Sequence, residues 1–121
     1  MPTKHFQNIK PGEIWIVELS TKINNTVGHE TKKTRPCLVI ANSPVAKMIT
    51  EIPLQSNLDT SNLPYTHLIK KSQKNKLKHD SIAVIFQMRS LDCKRFRNFI
   101  GVIGDKDLIK IKTLLKDFLN L

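Results

Sequence analysis

Short apolar runs bounded by turn-forming residues dominate the first two thirds of this 121-residue chain. The clearest are Ile14 to Leu19, Cys37 to Ala41 and Ser81 to Phe86, each rich in β-branched residues. They are too short for independent helices, and the Gly, Pro, Asn and Asp residues around them favour buried strands. Many short strands with polar connections predict a small barrel or a strongly curled sheet. Weaker strand candidates are Met48 to Leu54, Thr66 to Lys70 and Phe99 to Ile103.

The hydrophobic period changes near the C-terminus. From Asp105 onward, apolar residues recur at spacings of three and four, which is the period of a helix with one buried face. Asp105 follows Gly104 and is predicted to be the N-cap, while Asp107 complements the positive end of the helix dipole. We therefore predict an amphipathic helix that lies over an open side of the sheet. Its apolar stripe comprises Leu108, Ile111, Leu115 and Phe118.

The charge balance points to a polyanionic partner. Lys and Arg number 20 against 10 Asp and Glu, which gives a formal net charge of +10. Because basic side chains release condensed counterions from phosphates, such an excess favours nucleic acid. The alternative is a soluble basic protein without such a partner. The length predicts one domain.

The two cysteines, Cys37 and Cys93, form no metal-ligand pattern. Neither belongs to a CxxC pair, and the four histidines are scattered, so we expect no metal and no cofactor. Cys37 lies in an apolar run, where a cysteine usually acts as a small hydrophobe. The N-terminus has no hydrophobic signal core and no apolar run approaches membrane-spanning length. A cytoplasmic protein with free thiols is the simplest interpretation.

Polar segments interrupt the strand candidates at three places. Loops are expected from Ser20 to Thr34 and from Asn57 to Pro64, and long loops in a compact domain are commonly functional. The basic stretch from Lys70 to His79 is either an ordinary connection or a flank that follows a nucleic-acid backbone. The first loop ends in Arg35-Pro36, and we expect Pro36 to be the first residue of a strand.

Four sequence segments together resemble the PemK/MazF family of toxin endoribonucleases. They read PGEIWIVEL (11–19), GHE (28–30), TRPCLVI (34–40) and FQMRSLD (86–92), and the resemblance spans roughly residues 10 to 120. It implies a small SH3-like, PemK-type β-barrel with a C-terminal helix. The expected organisation is a single domain over 1–121 with a short tail at about 1–9.

The loop-strand unit around Arg35 offers the groups that metal-free RNA cleavage needs. A base must accept the ribose 2′-hydroxyl proton, positive charge must stabilise the phosphorane, and an acid must protonate the leaving 5′-oxygen. Glu30 or His29 can accept the proton, and the Arg35 guanidinium suits phosphate oxygens. Arg35 is an electrostatic stabiliser first and an acid only with concerted help, because a guanidinium does not lose its proton near neutral pH. The resemblance implies a catalytic role for Arg35. Without it, Arg35 would be a surface arginine paired with Glu13 or Glu18, and Glu30 and His29 would satisfy loop backbone groups.

The region that carries a Thr or Ser in many members of that family reads differently here. Gln55 aligns with the usual Thr and Ser56 follows one position later. Either Ser56 supplies the hydroxyl, which is our choice for a catalytic role, or Gln55 supplies amide donors; one residue of slip on a strand would put Ser56 on the opposite face. Some members use an Arg and an Asp at positions that correspond to Val84 and Phe86, which exclude that variant of the mechanism.

The remaining substrate-binding candidates are Tyr65, Gln87 and Arg89. Tyr65 adjoins a polar loop and is a candidate for base stacking, whereas Trp15 is expected in the core or a dimer interface. Gln87 and Arg89 match the family pattern but are equally suited to ordering the barrel or the dimer.

The resemblance implies a toxin of a type II toxin–antitoxin system that cleaves single-stranded mRNA at short motifs without metal. It further implies a homodimer and an acidic antitoxin that neutralises a basic groove. Two other classes stay open. One is a catalytically silent nucleic-acid-binding barrel, and the other is a toxin of the same fold that inhibits a protein such as a topoisomerase.

Overall fold

The computed structural model describes residues 8–24 and 29–121, without the side chains of residues 20–32. Over this part, the chain forms seven strands and a 14-residue C-terminal helix. The elements are β1 (Glu13–Asn24), β2 (His29–Ser43), β3 (Met48–Gln55), β4 (Thr66–Ile69), β5 (Ser81–Val84), β6 (Arg89–Asp92), β7 (Phe96–Val102) and α1 (Asp105–Phe118).

The strands form one antiparallel sheet in the order β4-β5-β3-β2-β1-β7. β3 pairs with β6 along Met48–Glu51 and with β5 at Leu54 and Gln55, so its two halves have different neighbours. Register shifts between Glu18 and Ser20 and between Val39 and Ala41 are bulges of the kind that bend strands. The mainly β class with a C-terminal helix is confirmed. Within the described residues the sheet does not close into a full barrel, because β4 and β7 end the hydrogen-bonded order.

All six strand candidates overlap a strand, but the polar loop expected from Ser20 to Thr34 is wrong, because strands occupy most of that range. β1 continues to Asn24 and β2 begins at His29, with Asn24 opposite His29 and Glu18 opposite Thr34. Pro36 consequently lies inside β2 rather than at its start. It pairs with Ile16 of β1 and lies next to Cys37↔Pro53, the last pair of the β2–β3 ladder.

Two apolar clusters lie on opposite faces of the sheet. Ile14, Leu38 and Ile52 alternate along their strands with Trp15, Cys37 and Val39, as the two-residue period of a strand requires. The first cluster continues into α1, and the second includes Ile9 and Phe96. Trp15 is buried against Phe99, so the core position expected for it is confirmed.

The predicted helix is confirmed, but its N-cap is Gly104 rather than Asp105, which is the first helical residue. Ile111 is fully buried in the first cluster, and Tyr65 contacts Phe118 edge-to-face at 5.1 Å between ring centroids. His67 Nε2 and Asp107 Oδ1, 2.8 Å apart, join β4 to the first turn of α1. In the described part of the chain, no helix is both long and apolar enough to cross a membrane.

Candidate active site

A cavity of about 510 Å³ opens at the C-terminal end of β3, between β2 on one side and β5 on the other. Its floor is apolar and its rim is polar and basic. The apolar lining comprises Ile16, Pro36, Leu54, Leu77 and Ile100; the polar lining comprises Thr34, Arg35, Gln55, Ser56, Asn57, Lys76, Lys78, His79 and Ser81.

The β1–β2 ladder positions Arg35 at this cavity. Arg35 pairs in register with Val17, two residues before Cys37 enters the ladder with β3. Neither of the carboxylates expected as alternative partners binds it. Glu18 pairs with Arg97 at 3.1 Å, and Glu13 accepts hydrogen bonds from the backbone of Lys10 and from the Trp15 indole. Among the described side chains, Arg35 has no ion-pair partner and is available to an anion in the cavity.

Gln55 and Ser56 both line the same cavity as Arg35. Gln55 is the last residue of β3 and pairs with Ile82, whereas Ser56 is exposed in the bend that follows. Because β3 ends between them, strand alternation does not force them onto opposite faces. Either side chain can therefore offer hydrogen-bond donors to a phosphate oxygen.

A second cavity of about 450 Å³ adjoins the first. Ser56 and His79 line both cavities, so these two residues mark the boundary between them. Leu58, Lys71 and Asp80 complete the lining of the second cavity.

The basic stretch between β4 and β5 forms one wall of the first cavity. The sequence alone did not decide whether this stretch is an ordinary connection or part of a site. Lys76, Lys78 and His79 come from this stretch, and its composition was the signal that could have found them. Its conformation depends on Asn75, which is 2% exposed. The Asn75 Oδ1 accepts from the backbone N–H groups of Ser72 and Leu77, and its Nδ2 donates to the Lys70 carbonyl.

The structure does not bring Tyr65, Gln87 and Arg89 to the cavity lining. The Tyr65 ring is half-buried against Phe118 and the first core cluster, which leaves less of it for stacking on a base. Gln87 is exposed in a 3₁₀ turn after β5. Arg89 donates to the Leu19 carbonyl and lies 3.5 Å from Glu51, so its contacts are with the sheet itself.

His29 and Glu30 begin β2 and pair with Asn24 and Ile23. Their side chains lie outside the described residues, as does Gly28 of the same motif. Val84 is fully buried, and neither it nor Phe86 lines either cavity.

Glu51 is a fully buried carboxylate on the side of the sheet that carries Cys37. Among the described residues, neither of its oxygens accepts a hydrogen bond, although Arg89 Nε lies 3.5 Å from Oε2. Burial raises the pKa of the Glu51 carboxyl, and the Cys37 thiol and Arg89 oppose that shift. Burial also raises the pKa of Cys37, so this thiol stays protonated, and both cysteines are unpaired and buried.

The described residues form a concave, partly apolar site with the Arg35 guanidinium, three further basic side chains and several hydroxyl or amide groups. An apolar floor suits a nucleobase, and the basic rim suits its phosphates. In the described part of the chain, no group of three or more His, Cys, Asp or Glu residues could hold a metal ion.

Comparison with known proteins agrees with this geometry. Residues 10–119 match the family described as PemK-like, MazF-like toxin of type II toxin-antitoxin system. Endoribonuclease MazF of Staphylococcus epidermidis is 25% identical over 116 residues, which cover 93% of this chain and 92% of that protein.

Solved structures share the fold. MazF from Deinococcus radiodurans has a TM-score of 0.70 and 18% identity, and covers 93% of this chain and 97% of its own. A mycobacterial endoribonuclease solved in complex with its cognate antitoxin has a TM-score of 0.69 and 16% identity, and covers 93% of this chain and 96% of its own. At these identities the likeness shows the fold alone.

Proposed function

This chain belongs to the PemK-like, MazF-like toxins of type II toxin–antitoxin systems, and from that membership we propose that it is an endoribonuclease. It cleaves single-stranded RNA at short sequence motifs without a metal ion. The observation that carries the proposal is the cavity that Arg35, Gln55 and Ser56 line together. The formal net charge of +10 supports binding to a phosphate backbone.

In this proposal, Arg35 holds the scissile phosphate from the β2 side of the cavity. A guanidinium presents several donors in a planar fork and stays protonated near neutral pH, so it stabilises the charge that develops on the phosphorane. Ser56 and Gln55 donate hydrogen bonds to the same phosphate from the end of β3. Their proximity to Arg35 along the sheet supports that assignment.

The nucleophile is the ribose 2′-hydroxyl, whose proton passes to Glu30 or His29 on β2. Its oxygen attacks phosphorus, and the bond to the 5′-oxygen breaks. The products are a 2′,3′-cyclic phosphate and a 5′-hydroxyl. His29, Glu30 and Arg35 all belong to β2.

The proposed partners are RNA, a second copy of the chain and an acidic antitoxin. The relative from Staphylococcus epidermidis is named an endoribonuclease, and the mycobacterial neighbour is bound to its cognate antitoxin. An acidic segment would neutralise the basic rim of the cavity and so block RNA. We place the protein in the cytoplasm, in keeping with its two unpaired cysteines.

The test is incubation of wild-type protein, Arg35→Ala and Arg97→Ala with a long single-stranded RNA in EDTA, followed by mapping of the RNA ends. Arg97 is a matched control because its guanidinium pairs with Glu18 and does not line the cavity. We expect discrete cuts with 2′,3′-cyclic phosphate ends from wild type and Arg97→Ala. Loss of Arg35 should slow cleavage by about 100- to 1000-fold, as removal of a preorganised donor does elsewhere.

Intact RNA with the wild-type protein, under conditions in which a gel-shift assay shows binding, would contradict the proposal. The same result would favour a silent nucleic-acid-binding protein, whose affinity falls steeply with salt.

A further inference from the structure

The proposed mechanism lacks a group that protonates the departing 5′-oxygen. An arginine guanidinium does not release its proton near neutral pH, and hydroxyl or amide groups are poor acids. Efficient general acids titrate near the working pH, which for an unperturbed side chain points to histidine. Among the described residues that line either cavity, the one histidine is His79.

His79 lies on the cavity wall opposite β2. β3 pairs with β2 up to Cys37↔Pro53 and with β5 at Gln55↔Ile82, so the end of β3 lies between Arg35 and the residues that precede β5. Neighbouring strands are about 4.8 Å apart, so β2 and β5 lie about 10 Å apart on either side of β3. Beyond Gln55, where β3 ends, that spacing leaves room for a phosphate and its two ester oxygens.

In-line displacement places the attacking and leaving oxygens on opposite sides of phosphorus. Because the proposed base comes from β2, the acid must come from the opposite wall. His79 meets that requirement, and it also lies at the boundary between the two cavities. If the nucleobase on the 5′ side of the scissile phosphate occupied one cavity and the departing nucleotide occupied the other, the phosphate would lie at this boundary.

The backbone at His79 is held in place, although its side chain is exposed. The hydroxyl of Ser81, which is 5% exposed, donates to the His79 carbonyl at 3.0 Å. Next to it, Asp80 Oδ1 accepts from the backbone N–H of Lys71 and ties together the two ends of the loop. The imidazole is thus carried by an anchored backbone while remaining accessible to a ligand.

We propose that His79 is the general acid of the cleavage step, an assignment that rests on the proposed ribonuclease function. As the 2′-oxygen forms its bond to phosphorus and loses its proton to the base on β2, the bond from phosphorus to the 5′-oxygen breaks. The imidazolium N–H of His79 transfers its proton to that 5′-oxygen and yields the 5′-hydroxyl. The neutral imidazole then recovers a proton from water.

Other charged groups surround the imidazole and bear on its pH dependence. Arg35, Lys76 and Lys78 line the first cavity with it, and Lys71 and Asp80 line the second. The bound RNA adds negative charge beside it. The pH profile must therefore be measured with substrate bound as well as for the free enzyme.

The experiment compares wild type, His79→Ala and His79→Asn on two RNA substrates. One is a short RNA with a single mapped cut site, and the other has sulfur in place of the bridging 5′-oxygen at that site. A thiolate leaves without protonation and does not need the acid. We expect both variants to lose about 100- to 10,000-fold in kcat on the oxygen substrate, with little change in KM. On the sulfur substrate they should stay within a few-fold of wild type.

Two further measurements distinguish a general acid from a residue with a purely structural role. If His79 is the acid, kcat of the wild type should fall at alkaline pH and this fall should be absent from both variants. Added imidazole should partly restore the activity of His79→Ala. The ratio of rates on the two substrates is measured within one protein, so it does not depend on how much of a variant is folded.

The outcomes separate the two proposals. If wild type cleaves neither substrate, the ribonuclease function itself is wrong. If wild type cleaves and His79→Ala cleaves the oxygen substrate within about three-fold of it, far below the loss expected of a general acid, only the assignment of His79 is overturned. Equal losses on both substrates would also overturn it and would make His79 a binding or positioning residue.

Discussion

Replacing Asn75 by alanine should destabilise the protein and displace the basic wall of the cavity. The Asn75 amide makes three hydrogen bonds of 2.9 to 3.0 Å to the backbone of Ser72, Leu77 and Lys70. These bonds hold the turn that leads directly into the stretch from Lys76 to His79. Alanine would remove all three and leave the backbone groups to find other partners.

The size of the effect follows from the burial of those groups. The hydrogen bond to the Leu77 N–H is buried, so that donor would be left without water, at a cost of about 1–3 kcal/mol. The bonds to Ser72 and Lys70 are partly buried and can be replaced by water, at about 0.5–1 kcal/mol each. We expect a loss of about 2–5 kcal/mol in the free energy of unfolding, a large share of the total stability of a small domain.

Urea denaturation of the wild type, Asn75→Ala, Asn75→Asp and Asn98→Ala would measure this. Asn98 is exposed on β7 and serves as the matched control, with an expected change within about 0.5 kcal/mol. Asn75→Asp keeps the two acceptor bonds but buries a carboxylate, with one oxygen facing the Lys70 carbonyl, so it should also be less stable than the wild type. Equal midpoints for Asn75→Ala and Asn98→Ala would refute the reasoning, since they would mean that the turn does not depend on the amide.

Two other substitutions test neighbouring features of the fold. Gly101→Ala would place a Cβ 2.5 Å from the Asn75 carbonyl oxygen, a backbone atom that cannot rotate away, and should cost about 1–3 kcal/mol in thermal or urea unfolding. Gly104→Ala, whose Cβ would meet only an ordinary 3.8 Å contact, is its control, and equal losses would contradict the steric argument. Glu51→Gln addresses pH. Because burial raises the pKa of Glu51, its contribution to stability is complete below the ordinary carboxyl pKa and is lost as pH rises through the folded value. Urea unfolding from pH 4 to 8 should therefore show the glutamine variant gaining on wild type as pH rises, and parallel curves would contradict this.

The elements that could be predicted from the sequence are those with a buried face. The runs around Ile14, Leu38 and Ile82 carry the β-branched, apolar pattern of strands, and α1 carries a helical stripe, because each packs against a core cluster. The expectation that Arg35 lies at a site came instead from the family resemblance of the Arg35-Pro36 motif, since local features alone would make it a surface arginine.

The elements that could not be predicted lack such a face. Beyond Glu18 and before Thr34, the two strands pair only with each other in the described ladders, so no core imposes an apolar alternation and the segment reads as a loop. β6 reads Arg-Ser-Leu-Asp and has no β-branched residue; its pairing with β3 creates the strand. The role of Arg89 follows from the same non-local pairing, because Glu51 is opposite it in the ladder.

The candidate site likewise has one side that could be predicted from strand patterns and one that could not. Its β2 and β3 side consists of ladder residues whose positions follow from strand register, whereas its opposite wall is a loop between β4 and β5. That loop is held by Asn75 from within and by β7 from outside, since Val102 donates to the Lys74 carbonyl and Gly101 lies against Asn75. The position of His79 therefore depends on a strand that supplies only Ile100 to the cavity lining. Gly101→Ala should then slow RNA cleavage more than it weakens RNA binding, because it displaces the loop that carries His79 and not the β1–β2 ladder that positions Arg35.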